Sequence, residues 1–173
     1  MLKSINMAKL EIKVYPDKVL RKKAASVRRV GDAERKLSRD MIETMGAANG
    51  VGLAAPQVGI SKRIIVVLDV EGSGQALVFI NPKILKKKGR SRVCEGCLSV
   101  PDVTSDVVRP EFVTVEALNI DGEQIKMEAG GLLARIIQHE IDHLDGILFI
   151  DRIGILKRKK LIKQLGSKVC MEL

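Results

Sequence analysis

The feature that most constrains this chain is Gln138-His139-Glu140-Ile141-Asp142-His143, an H-E-x-x-H pattern set inside an apolar run. Its two histidines are the only two in the sequence. On a helix, residues four apart share a face, so His139 and His143 can aim both rings at one metal ion. Glu140 sits beside that face, where it can accept a proton from metal-activated water. Leu132, Leu133, Ile136, Ile137, Ile141 and Leu144 flank the pattern, and a helix this apolar belongs in an interior. Leu132, Ile136, His139 and His143 fall on a single stripe. Two imidazoles on a buried stripe need polar partners, and a metal ion serves both at once. The rest of the fold has to be built around this helix.

The 173 residues are enough for one domain with one core, with room for a tail. A hydrophobic content of 46% supports a globular fold, and no apolar run reaches the length of a membrane span. The opening residues Met1 to Asn6 lack the apolar core of a secretory signal, and Met7 is a second possible start. A cytoplasmic location is expected. Three cysteines, an odd number without a secretory signal, do not read as a disulfide framework and suit metal binding or burial better. The net charge of +9 points to an anionic partner such as nucleic acid. With 2% aromatics and no Trp, bases would find little to stack on, which argues against a base-reading module. Lys- and Glu-rich surfaces also serve thermal stability, so charge alone decides little.

Along the chain, Tyr15-Pro16-Asp17 is a turn signal. Asp32 is expected to cap a helix running to about Ala48, with Leu37, Met41 and Met45 on its inner face. Residues 63–70 form a β-branched strand that turns through Glu71-Gly72-Ser73-Gly74 into a second strand, 76–80, which Asn81-Pro82 is expected to break. A basic stretch around Lys86-Lys87-Lys88 leads on to Val93. Residues 113–120 form another strand, and Asp121-Gly122 returns it through 124–128. Gly130-Gly131 then opens the H-E-x-x-H helix. Residues 155–165 read as a basic helix, followed by a polar tail. The order predicts an α+β fold: antiparallel strands around a central metal-binding helix, with an N-terminal helix and a basic C-terminal helix.

A catalytic site of the zinc type wants three protein ligands and one open position. The third histidine of a metzincin would stand at 149, which is Phe149, and the only downstream glutamate is Glu172 in the tail. The missing ligand must therefore lie upstream, where Cys94, Cys97 and several carboxylates are candidates. Cys94 and Cys97 spell C-x-x-C, so two cysteines and two histidines could instead close a structural zinc site. Their distance from His139 far exceeds a zinc finger's spacing, and coordination logic favours one cysteine ligand over two. A further small-residue stretch, Gly50 to Gln57, lets the backbone pass close to a partner, and the Gln57 amide could donate to a developing oxyanion.

Taken together, Gly50-Val51-Gly52-Leu53-Ala54-Ala55-Pro56-Gln57, Glu95-Gly96-Cys97-Leu98-Ser99 and Gln138 to His143 resemble the three ordered motifs of peptide deformylases, each intact. The resemblance runs from about Val14 to Asp151. It implies removal of the N-formyl group from the initiator methionine of new polypeptides, with release of formate. It implies Cys97, His139 and His143 as metal ligands, Glu140 as the acid/base, and Gln57 with the Leu98 backbone N–H at the oxyanion. It also implies one divalent ion, commonly Fe²⁺, with Zn²⁺, Ni²⁺ or Co²⁺ able to take its place. Thr104 stands where many relatives carry Arg or Tyr, which bears on substrate contacts and not on the chemistry.

Leu132 and Ile136, one and two turns before His139, are expected to floor a pocket for an unbranched side chain such as methionine, with Val51 and Gly52 as its wall. Glu95 and Arg109 are a candidate ion pair bracing the Cys97 loop. Residues 1–152 are expected to carry the chemistry, and residues 153–173 a basic helix and tail. Lys157, Arg158, Lys159, Lys160, Lys163 and Lys168 make that helix a candidate ribosome contact, as the resemblance also implies; no membrane contact is expected. The rival readings are a general metallopeptidase and a non-enzymatic basic protein with a closed Cys₂His₂ zinc site.

Overall fold

The structure, a computed structural model, describes residues 9–169. The choice between Met1 and Met7, the Lys168 side chain and the polar tail lie outside the described residues.

Five strands form one antiparallel sheet in the order β1-β2-β3-β6-β7: β1 Gly52–Ala54, β2 Ile64–Leu68, β3 Ala76–Lys88, β6 Phe112–Leu118 and β7 Gln124–Gly130. Between β3 and β6 the chain makes a separate antiparallel hairpin, β4 Ser91–Cys97 with β5 Val100–Arg109. The α-helices are α1 Asp32–Ala47, α2 Gly131–Leu144 and α3 Ile155–Val169. This is a mixed fold of helices and antiparallel sheets, as the order of sequence signals predicts.

The sheet is covered on both faces, and β2 explains why. Ile64 and Val66 pack with Leu37, Met41 and Met45 of α1, while Ile65 and Val67 pack with Ile137, Ile141 and Leu144 of α2. Side chains alternate along a strand, so one buried on both faces needs an unbroken apolar run; Ile-Ile-Val-Val-Leu supplies it. A third apolar cluster joins Val100 and Val107 of β5 to Leu20, Phe149 and Ile150, and Leu161, Ile162 and Leu165 of α3 pack into it. No described helix is long and apolar enough to cross a membrane.

Several local expectations need correction. Gly31, not Asp32, caps α1; the Glu34 carboxylate accepts from the Gly31 N–H at 3.1 Å, and Asp32 lies in the first turn, where its charge suits the helix dipole. Asn81-Pro82 does not break the second strand. It forms a bulge inside β3, with the register shifting between Ile80 and Lys83. Asn81 adopts φ 54°, and its side-chain amide pairs with both backbone groups of Val27 at 2.8 Å. The bulge places Pro82 where the ladder no longer needs its missing N–H. Phe149–Asp151 forms a 3₁₀ turn, and α3 runs on to Val169.

Candidate metal centre

Three separate stretches bring the site together. α2 carries His139, Glu140 and His143, and all three are buried. Cys97 ends β4, where a register shift between Glu95 and Cys97 turns the strand toward α2. Gln57 sits in the 3₁₀ turn Ala55–Val58 that follows β1. One ligating atom each from Cys97, His139 and His143 lie within 4.8 Å of one another, the one such group among the described residues. Cys97 Sγ is 3.2 Å from His143 Nε2. Cys94 is exposed and outside this group, so the closed Cys₂His₂ arrangement is not formed.

The surroundings of the histidines differ. His139 Nδ1 faces Glu95 Oε2 at 3.0 Å, which fixes the ring and leaves Nε2 for the interior. Burial by itself would lower the pKa of His139, but the Cys97 sulfur and the Glu95 carboxylate outweigh it and raise the value to about 10. His143 is pushed well below its ordinary value, first by burial and then by the charge of His139. A buried space faced by the Cys97 sulfur and the Glu95 carboxylate favours positive charge. One thiolate and two imidazoles fit a divalent cation with a coordination position left over.

Glu140 points into the same space. Its Oε2 is buried with no protein hydrogen-bond partner, and burial raises its pKa to about 7. Gly52 makes room for it: a Cβ there would lie 2.4 Å from Glu140 Oε1 and 2.8 Å from Ile136 Cγ2. Gln57 is held from behind. Its Oε1 accepts from the Ala54 N–H at 2.8 Å, which turns Nε2 toward Ser99 Oγ at 3.1 Å and Cys97 Sγ at 3.6 Å.

A profile described as polypeptide deformylase matches residues 9–159. The chain belongs to the polypeptide deformylase family. It is 51% identical over 164 residues to a peptide deformylase of Thermodesulfovibrio yellowstonii, covering 94% of this chain and 99% of that one. It is also similar to the crystal structure of a peptide deformylase from Legionella pneumophila, with a TM-score of 0.88 and 41% identity over 95% of this chain and 98% of that one. The Ehrlichia chaffeensis peptide deformylase, solved in complex with actinonin, gives a TM-score of 0.88 at 40% identity, covering 94% and 98%.

In this deformylase the remaining sequence-predicted residues also meet. Val51, Gly52, Leu98, Leu132 and Ile136 line one cleft of about 530 Å³ with Cys97, His139 and Glu140, and Thr104 lies on its wall. Ile136 is buried, whereas Val51 and Leu132 stand at the rim, 42% and 39% exposed. Glu95 and Arg109 form the expected pair, with Oε1 accepting from Nε at 2.7 Å and Oε2 from Nη2 at 3.0 Å.

Sequence reasoning missed the rest of this ionic network. Arg135 donates to Glu95 Oε1 at 2.5 Å, and Asp142 accepts from Arg109 at 2.8 Å and from Arg152. Burial would raise the Glu95 pKa, but His139 and Arg109 hold it down to about 2. Arg135 could have been found as a charged residue inside an apolar helix, one turn before His139; Ser99, which meets Gln57, stood in the Glu95–Ser99 motif without a role assigned to it.

Proposed function

We propose that this chain removes the N-formyl group from the initiator methionine of nascent polypeptides, with Cys97, His139 and His143 holding the divalent ion and Glu140 as acid/base. The observation that carries the reading is the convergence of the three ligating atoms within 4.8 Å beside a buried carboxylate. When bound, the ion supplies Lewis acidity that makes water a usable nucleophile near neutral pH. Glu140, with a pKa near 7 and a free Oε2, accepts the proton from the attacking water and returns it to the departing amine. The Gln57 amide and the Leu98 backbone N–H donate to the developing oxyanion, each worth about 3 kcal/mol of barrier. Ile136 floors the pocket for the methionine side chain, and Leu132, Val51 and Gly52 wall it. Glu95 orients His139 through Nδ1, and Arg109 fixes Glu95.

The thiolate–imidazole set admits Fe²⁺, Zn²⁺, Co²⁺ or Ni²⁺. We assign Fe²⁺ as the ion used in the cell; metal analysis after anaerobic purification tests it. In this reading residues 1–152 carry the chemistry, and residues 153–173 carry the positive charge that brings the enzyme to the ribosome. Lys157, Lys159, Lys160 and Lys163 are exposed while Leu161, Ile162 and Leu165 face the core. A basic face of this kind gains affinity for RNA by counterion release and needs no aromatic stacking. A substrate made on ribosomes implies a cytoplasmic site of action.

The decisive experiment is formate release from a formyl-Met peptide after anaerobic loading with Fe²⁺ and, separately, Zn²⁺. Cleavage of internal peptide bonds without formate release would favour a general metallopeptidase. Cys97→Ser should lower metal occupancy or change the metal's reactivity; unchanged metal content and turnover would remove Cys97 from the ligand set.

A further inference from the structure

Apart from the substrate cleft, three neighbouring clefts share lining residues. The middle one, about 300 Å³, is lined by Arg63, Lys83, Lys87, Asp142, Asp145 and Arg152 among others. Lys87 also lines a neighbouring cleft of about 410 Å³ together with Lys86 and Lys88. Arg152 also lines a third, of about 590 Å³, together with Arg92 and Lys157. The shared residues join the three into one groove from the end of β3 to the first turn of α3. No residue lining it also lines the substrate cleft. Along α2, Ile141 lies on the side away from Leu132, Ile136 and His139, and Gln138 and Asp142 lie on the flank between them.

Cations outnumber acids in this groove. In the middle cleft the acids are already engaged: Asp142 accepts from Arg109 and Arg152, and Asp145 accepts from Arg63 at 2.8 Å. Lys83, Lys86, Lys87, Lys88, Arg92 and Lys157 form no ion pair among the described residues. Facing them along the groove are two uncommitted carboxylates, Glu128 and Asp106, at its two ends. Six unpaired cations against two free carboxylates leave the groove positive, which suits a polyanion. At 2% aromatics, the surface suits a phosphate backbone better than stacked bases.

We propose that this groove binds the RNA phosphate backbone and extends the ribosome contact from α3 across the catalytic body. The inference rests on the ribosome reading given above, and it adds β3 lysines that the C-terminal helix does not contain. Because the groove and the substrate cleft share no lining residue, a docked enzyme keeps its active site open to the emerging chain.

The test uses the full-length protein in three variants: Lys83→Glu with Lys87→Glu in the groove, Lys157→Glu with Lys160→Glu on α3, and Lys9→Glu with Arg39→Glu, both exposed beside or on α1 on the other face of the sheet, as a control. Binding is measured by cosedimentation with purified bacterial ribosomes, and by titration of protein-free ribosomal RNA, across a salt series. The groove pair should weaken ribosome binding about tenfold or more at low salt and flatten the dependence of log K on log salt by about two units. Hydrolysis of a short formyl-Met peptide should not change. Unchanged affinity and slope for the groove pair, or an equal loss for the control pair, overturns the proposal. If the α3 pair alone weakens binding, the groove is excluded and helix docking stands; if the groove pair alone does, the reverse holds. A wild-type protein that does not cosediment removes both. Binding to ribosomes but not to free RNA gives the groove a protein partner and overturns the RNA assignment.

Discussion

Arg135 is a buried charge that braces Glu95, the carboxylate behind His139. Besides Glu95 it donates to the carbonyls of Val107 and Ser91, both at 3.1 Å, and to Ser91 Oγ at 2.8 Å, tying α2 to both strands of the hairpin. Arg135→Met should leave Glu95 short of a donor and loosen its hold on His139. Metal affinity, measured by competition with a chelator, is expected to fall about 10- to 100-fold, with partial rescue by Arg135→Lys. Glu140→Gln keeps size and hydrogen bonding but cannot shuttle a proton. It should retain metal while kcat falls by about 10² to 10⁴. Gly52→Ala introduces a methyl group 2.4 Å from Glu140 Oε1. That overpacking is expected to cost about 1–3 kcal/mol of stability. It should also displace the carboxylate, so activity is lost with metal still bound. Wild-type turnover in Gly52→Ala would show that the acid/base does not need this space.

At the scale of elements, α3 is structural as well as basic. Leu161, Ile162 and Leu165 pack against the cluster that holds Leu20, Val100 and Phe149. A buried Leu contributes about 1.5–3 kcal/mol. Deleting residues 153–173 should therefore lower Tm by several degrees, read by calorimetry, and charge reversals that spare this apolar face are the better probe of docking. The helices and the strong strands were legible in sequence because their patterns are dense: Ile64 to Leu68 is apolar without a break, and α2 carries its stripe. The β4–β5 hairpin was not. Ser91-Arg92-Val93-Cys94 and Pro101-Asp102-Val103-Thr104 lack clear alternation because much of that hairpin faces solvent or the cleft, so no core imposes a period on it. The bulge at Asn81-Pro82 read as an ending because proline removes a ladder donor. What rescues it is a side-chain pairing with Val27, 54 residues away, which local sequence does not display. The grouping of Cys97, His139 and His143 was legible through three intact motifs, the third of which also contains Asp142, but Arg135 and Arg152 lie outside the motifs and reach Glu95 and Asp142 through space.

At the scale of the whole molecule, Asp151 joins three segments: it pairs with Arg21, with Arg158 of α3 at 2.9 Å, and with the backbone N–H of Leu148 at 2.9 Å. Burial would raise its pKa, but the Arg21 contact and the Leu148 N–H hold it below the ordinary 3.8. A folded-state value below the unfolded one means the group stabilises the fold above about pH 4, and that contribution is lost as pH falls through the folded value. Asp151→Asn should thus lower stability at neutral pH and flatten the acid limb of the stability curve, followed by urea unfolding from pH 7 to pH 3. The three apolar clusters have their own consequence. They are built from apolar side chains, and Cys97, His139 and His143 stand on elements held by that packing and by arginine–carboxylate pairs. Coordination should behave here like a replaceable fitting and not like a clasp that shuts the fold. Chelation is expected to leave far-ultraviolet circular dichroism unchanged and Tm only modestly lower, and a different ion added afterwards should enter without a refolding delay. For a cell, such a protein could be built first and metallated later, with the supply of ions and not the folding pathway deciding which one it carries.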